Sequence, residues 1–161
     1  MIDLVEGWVI VDLQTAANTG DYVSLRDWER VLITFFSAVG TAADDPTLTI
    51  QQAQDNAGTG VKALTFDTIY RKQAATSLAA VGTWTKTTQT AANTYTNATA
   101  AEQDLIWVVE FQASDLDVDN GFDHVRATVA DIGGNAQLGY LLYILANPKH
   151  AHAPENVLSP L

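Results

Sequence analysis

The stretch R-V-L-I-T-F-F-S, residues 30–37, decides the architecture. It is built of β-branched, aliphatic and aromatic residues, and it is apolar at both odd and even positions. That pattern belongs to a central strand buried on both faces of its sheet. Working outward, a period of two recurs. Toward the N-terminus, Val9, Val11 and Leu13 alternate with Trp8, Ile10 and Asp12, which predicts an opening strand over 8–13. Asn18-Thr19-Gly20-Asp21 is turn chemistry, because Asn and Gly tolerate positive φ. Toward the C-terminus, residues 40–46 read as a loop and T-L-T-I-Q-Q (47–52) as an alternating strand. A turn at 56–60 then precedes one strand over 61–72, with Leu64, Phe66, Thr68 and Tyr70 on one face.

Residues 74–101 are rich in Ala, Thr and Asn and carry little apolar surface, so they read as edge strands and long loops. Short strands are expected at 84–88 and 94–96, since Thr suits sheets better than helices. The core resumes at 105–111, where Leu105, Trp107, Val109 and Phe111 share a face, and residues 113–117 fit a single helical turn. Strands over 122–130 and 136–146 follow, joined through Gly133-Gly134-Asn135, a hairpin-type turn. Pro148, Pro154 and Pro160 then mark an extended tail. Roughly eight to ten short strands with Gly/Asn turns indicate an all-β antiparallel β-sandwich or jelly-roll-like fold with extended terminal segments. One sandwich domain is expected over 1–147 and a C-terminal tail over 148–161. No long helical pattern supports a βαβ architecture.

With 161 residues, 47% of them hydrophobic, the chain can bury a core without staples. It has no cysteine, hence no disulfide framework, thiolate metal site or thiol nucleophile. The net charge is −11, with only eight Lys and Arg to neutralise phosphates, which argues against a nucleic-acid partner. The same repulsion opposes docking on anionic lipid, and the longest apolar run, 140–146, is far short of the ~20 residues a membrane helix needs. Met1-Ile2-Asp3-Leu4-Val5-Glu6 is acidic, the reverse of a positive leader, so synthesis in the cytoplasm is expected.

The segment closest to a chemical site is D-L-D-V-D-N-G, residues 115–121. Asp115, Asp117 and Asp119 alternate before Asn-Gly as in a calcium loop. However, Gly121 falls one place late for an EF-hand, and Arg126 stands where its final Glu would be. An acidic turn with Leu116 and Val118 packed inward fits better, the three aspartates remaining weak candidates for a cation. His150 and His152 lie in the predicted tail and His124 in a strand beside Asp123, too few convergent ligands for zinc. No G-x-S-x-G elbow offers a nucleophile. Glu6, Glu29, Glu102 and Glu110 show no spacing that singles out a glycosidase pair. Neither an enzyme nor a cofactor is expected. Of the four tryptophans, Trp107 has core spacing, while Trp28 and Trp84 are the expected surface pair, suited to a protein interface or to stacking on a sugar.

Three stretches carry a family resemblance: V-L-I-T-F-F-S-A-V-G-T-A-A-D-D-P-T-L-T-I-Q-Q-A (31–53), K-A-L-T-F-D-T-I-Y-R-K-Q (62–73) and D-L-D-V-D-N-G-F-D-H-V-R-A-T-V-A-D-I-G-G-N-A-Q-L-G-Y-L-L-Y-I-L-A-N-P-K (115–149). Together they resemble a group of small structural proteins of tailed bacteriophages, typically encoded near the major capsid protein. The resemblance implies a capsid cement, or decoration, protein on the exterior of the virion shell. Its partner would be the major capsid protein, and it would form a homo-oligomer, a trimer being favoured. Another virion component, such as a head-tail connector, tail or fibre piece, is the alternative, and a carbohydrate-binding sandwich module a further one. Contact residues are expected outside the core: Met1, Ile2 and Leu4; Asp44, Asp45 and Pro46; Pro148, His150, Pro154, Leu158 and Leu161; and Trp28 with Trp84.

Overall fold

The computed structural model describes residues 2–12, 18–74, 83–130 and 137–149. Twelve strands lie among them: β1 (Ile2–Asp12), β2 (Asn18–Thr19), β3 (Val23–Ser24), β4 (Trp28–Ser37), β5 (Leu48–Ala53), β6 (Lys62–Ala63), β7 (Phe66–Ala74), β8 (Thr85–Ala92), β9 (Thr94–Tyr95), β10 (Asp104–Gln112), β11 (His124–Val129) and β12 (Leu138–Pro148). All pair antiparallel, in two sheets. Sheet A runs β1-β12-β4-β10-β7-β8. Sheet B runs β2-β11-β5-β6, with β3 continuing the β2 edge on β11 and β9 sharing the β6 side of β5. The two sheets form a β-sandwich.

Strand β4 is central, as its composition predicts, flanked by β12 and β10. Val31, Ile33 and Phe35 on one face are fully buried in the core. From β10, Leu105, Trp107, Val109 and Phe111 join them, meeting Leu48 and Ile50 of β5 and Val125, Ala127 and Val129 of β11. Trp107 sits between Phe35 and Tyr95, at ring-centroid distances of 5.5 and 4.8 Å. Burial of these side chains is the main stabilising term, each contributing about 1.5–3 kcal/mol.

Several expectations need correction. The strand foreseen over 61–72 is two strands in different sheets: β6 lies in sheet B and β7 in sheet A. The chain crosses between them at buried Leu64. Between Phe66 and Thr68 the pairing with β8 is irregular, and the burial alternation of β7 breaks there, so Ile69 is buried while Tyr70 is 41% exposed. The turn read at 18–21 starts as strand β2, whose Asn18 and Thr19 pair with Val129 and Thr128. The N-terminal segment is not free either: Ile2 and Leu4 pair with Ala146 and Ile144. Leu13 and the turn Gly133-Gly134-Asn135 lie outside the described residues.

One side chain bridges the two sheets. Gly20 to Tyr22 interrupt the edge formed by β2 and β3, and the register slips by one residue across the gap. Ala127 N–H, which loses its ladder partner there, donates instead to the Tyr143 hydroxyl at 2.8 Å. That hydroxyl reaches across from β12 and donates to the Asp21 carbonyl at 3.2 Å. Glycine is required at position 20, since a Cβ would lie 2.6 Å from the Tyr143 oxygen. Burial holds the Tyr143 hydroxyl well above the ordinary tyrosine range, so it stays protonated and able to donate.

Candidate functional site

Sheets expose two features to partners: edges and outer faces. Three edges of this sandwich are blunted. Each edge of sheet B is split into two short pieces, and β1 carries register shifts at Glu6/Trp8 and Trp8/Val11. Bulges and brevity are devices that stop a strand from pairing with strangers. Strand β8 has neither device along its regular stretch, where Thr85 to Thr88 pair in one register with Arg71 to Thr68. Its sequence T-K-T-T-Q-T-A-A carries a single charge and no proline, and it is largely exposed. Among the described residues no strand pairs with its outer side. Gln89 fixes its far half by donating to the carbonyls of Phe66 (3.2 Å) and Thr94 (3.0 Å). Trp84, 51% exposed, stands just before its first residue.

The outer face of sheet A is unusually apolar. Alternation sends Leu32 and Phe36 of β4, Ile106 and Val108 of β10, and Leu142 and Ile144 of β12 away from the core. The register sets them side by side: Phe36 opposite Ile106, Thr34 between Val108 and Leu142, and Leu32 opposite Ile144. Each is half-buried. Antiparallel sheets with one solvated face normally put polar residues there.

The acidic segment is a structural turn. Two 3-10 turns, Ala113–Asp115 and Val118–Asn120, replace the single helical turn foreseen. The Asp115 carboxylate accepts Gln112 N–H at 2.8 Å. Asp117 accepts from Lys62 Nζ and, at 2.9 Å, from Asn120 Nδ2. The Lys62 hydrogen bond first, then that of Asn120, hold its carboxyl below the usual range. Lys62 also lies over the Phe122 ring, 4.0 Å from its centroid. Leu116 packs inward as expected, but Val118 is 55% exposed, because the second turn rotates it outward. Asp119 is exposed and stands apart from these contacts. Among the described residues no three His, Asp or Glu side chains converge as a metal set would.

His124 is buried, with Nδ1 against the Asp123 carboxylate, which also pairs with Arg26. A groove of about 710 Å³ runs past Arg30, Gln112, Val118 and Lys149. Its cations are engaged: Arg30 pairs with Glu110, and Lys149 Nζ donates to the carbonyls of Leu25 (3.3 Å) and Arg26 (2.8 Å).

The remaining predicted contact residues scatter. Trp28, expected at the surface, is 2% exposed, and its Nε1 finds no acceptor among the described residues. It is buried because β4 begins there and pairs with Pro148, so β12 runs two residues past the predicted strand end and Pro148 is not tail. Pro46 is buried too, its carbonyl accepting from Thr96 Oγ1 at 3.1 Å. Asp44 and Asp45 are half-buried, and Asp45 accepts Ala101 N–H at 2.9 Å, which straps this loop to the sandwich. Met1, His150, His152, Pro154, Leu158 and Leu161 lie outside the described residues, as do the side chains of Ile2 and Leu4. The stretch holding β8 was read from sequence as an edge strand, and β8 is one, but of it only the adjacent Trp84 was named as a contact; the outer face of sheet A was not singled out. The even positions of 30–37 and 105–111, together with 140–146, were the available signal for the face.

No protein-family model matches the chain, and no curated protein sequence does. Among solved structures it is similar to the SPBc2 prophage-derived protein YomS, at 10% identity and a TM-score of 0.48 over 91% of this chain and 94% of that one.

Proposed function

We propose that this chain is a structural protein of a tailed-phage virion, and specifically a cement protein that clamps the exterior of a shell of major capsid subunits. The observation that carries the reading is the β8 edge. It offers a regular row of backbone donors and acceptors with one charge and no bulge along Thr85 to Thr88. A strand from a capsid subunit can add to such an edge, main-chain hydrogen bonds giving affinity and alternate side chains giving specificity. The sequence resemblance over 31–53, 62–73 and 115–149 supports the same reading. So does the net charge of −11, which suits an exterior position away from a polyanionic genome.

The test uses shells of the cognate major capsid protein. Added protein should co-sediment with the shells and raise their rupture temperature. Thr87→Pro and Thr88→Pro remove adjacent N–H groups, one of which points away from β7. Whichever variant keeps its own melting temperature should lose shell binding. Shells that rupture at the same temperature with and without the protein would exclude the cement role. Full binding by both proline variants would exclude the β8 edge.

A further inference from the structure

We infer that the outer face of sheet A is a self-association surface, occupied in solution by a second copy of this chain packed face to face. The six apolar side chains Leu32, Phe36, Ile106, Val108, Leu142 and Ile144 form one contiguous patch across three adjacent strands. Among the described residues no strand or helix is stacked on it, whereas sheet B covers the opposite face. Patches of this size and continuity on a soluble domain mark interaction sites.

Area and charge select the occupant. The apolar patch, three strands about 4.8 Å apart over the length of 30–36 at about 3.4 Å per residue, covers of order 350 Å², and with its polar margins the six-stranded face is of order 700 Å². That approaches the ~800 Å² per partner of a standard interface, so a twin sheet fills it without further surface. Two broad sheets stack face to face as in any sandwich, and a twofold axis makes one patch complementary to itself. The chain carries 19 acidic and eight basic residues, so most of its surfaces repel a second copy. Here the balance differs. On this face the Glu110 carboxylate is paired with Arg30 and that of Asp104 accepts from Val39 N–H, while Lys72 and Lys86 stand opposite Ile106 and Tyr70 toward the β8 margin. Two copies meeting through this face place their excess negative charge on the outside. The contact is separate from the β8 edge, so its failure leaves the shell-binding reading intact, and the reverse holds as well.

The experiment is sedimentation velocity with light scattering on the full chain, between about 1 and 100 µM. The wild type should be a dimer. Thr34→Arg places a charge at the centre of the patch, between Val108 and Leu142, without removing a core side chain. Leu142→Glu does the same from β12. Each should raise the dissociation constant at least about 30-fold, the scale of a disrupted interface centre. Far-ultraviolet circular dichroism and thermal melts confirm that the variants fold, and if Leu142→Glu does not, Thr34→Arg decides alone. A monomeric wild type at the highest concentration overturns the inference, as does a trimer, which a twofold face-to-face contact cannot build. A dimer untouched by the folded variants overturns it equally.

Discussion

Replacing Tyr143 by Phe removes one oxygen from the centre of the sandwich, and the structure says what that costs. The hydroxyl accepts from Ala127 N–H at 2.8 Å and donates to the Asp21 carbonyl at 3.2 Å. Ala127 and Tyr143 are both 0% exposed, so the stranded N–H has no route to water. An unsatisfied buried donor costs about 1–3 kcal/mol. Asp21 lies at the surface, and its carbonyl can rehydrate at little cost. The expected loss is therefore about 2 kcal/mol, a fall in melting temperature of about 4–8 °C for a chain this long. Gly20→Ala approaches the same atom from the other side, its Cβ falling 2.6 Å from the hydroxyl and 2.8 Å from the Ala127 carbonyl. Alone it should cost about 1–3 kcal/mol by overpacking. In the Tyr143→Phe background one of its clashes is gone, so the double variant should fall short of additivity by about 0.5–1 kcal/mol. A pH signature accompanies this. The folded Tyr143 hydroxyl titrates above its unfolded value, so its stabilisation is complete below about pH 10 and lost as pH rises further. Tyr143→Phe should therefore soften the alkaline decline, while Tyr22, also raised by burial, preserves part of it. Urea unfolding followed by tryptophan fluorescence at neutral pH, with thermal scans up to about pH 11, measures all three effects. A loss below about 0.5 kcal/mol with full additivity to Gly20→Ala would refute the bridging role of the hydroxyl.

Other substitutions separate further parts of the fold. Trp28→Ala should cost about 3–5 kcal/mol in urea titrations because it empties a buried site, whereas Trp84→Ala should stay within about 0.5 kcal/mol; similar costs for both would contradict their burial. Gly121 has φ +79°, and a methyl group added there would meet nothing within 4 Å, so Gly121→Ala should lose about 1–2 kcal/mol through backbone strain alone. Gly121→Asn should recover part of that loss, and a neutral Gly121→Ala would argue against the left-handed turn. Asp117 has a folded-state pKa below its unfolded value, so its contribution is present above about pH 4 and lost as pH falls through the folded value. Thermal melts from about pH 5 down to 2.5 should accordingly fall less steeply in Asp117→Asn than in the wild type, and parallel slopes would count against the Lys62 contact.

Strands whose alternation is uninterrupted were legible in the sequence. Leu105, Trp107, Val109 and Phe111 sit on the core face where a period of two places them, and β4 is central as its composition implies. Legibility failed where the chain changes sheet or register. Nothing in K-A-L-T-F-D-T-I-Y announces that Leu64 is a crossing point or that the pairing with β8 turns irregular after Phe66, where the alternation breaks and the assignment of Ile69 and Tyr70 is inverted. Trp28 misled because polar Asp27, Glu29 and Arg30 surround it, while its cover comes from the far end of the chain. Pro148 looked like a strand terminator. Proline is tolerated there because the described β1 register stops at Ala146 and leaves no ladder on that side of Pro148 to break. The metal-like spacing of Asp115, Asp117 and Asp119 reflected a turn in which the first two carboxylates satisfy Gln112 and Lys62.

The position of β12 has a consequence for how the molecule comes into being. It lies between β1 and β4, pairing with both, although it follows them by nearly the whole described sequence. On a ribosome, β4 emerges on the order of 100 residues before its neighbour, a delay of about 5–20 s at ordinary elongation rates. During that interval sheet A cannot close: β4, β10, β7 and β8 can pair among themselves, but β1 has no partner in the sheet until β12 arrives. Such long-range pairing is slow even in a released chain. Joining β1 to the rest of sheet A thus waits on the synthesis of β12.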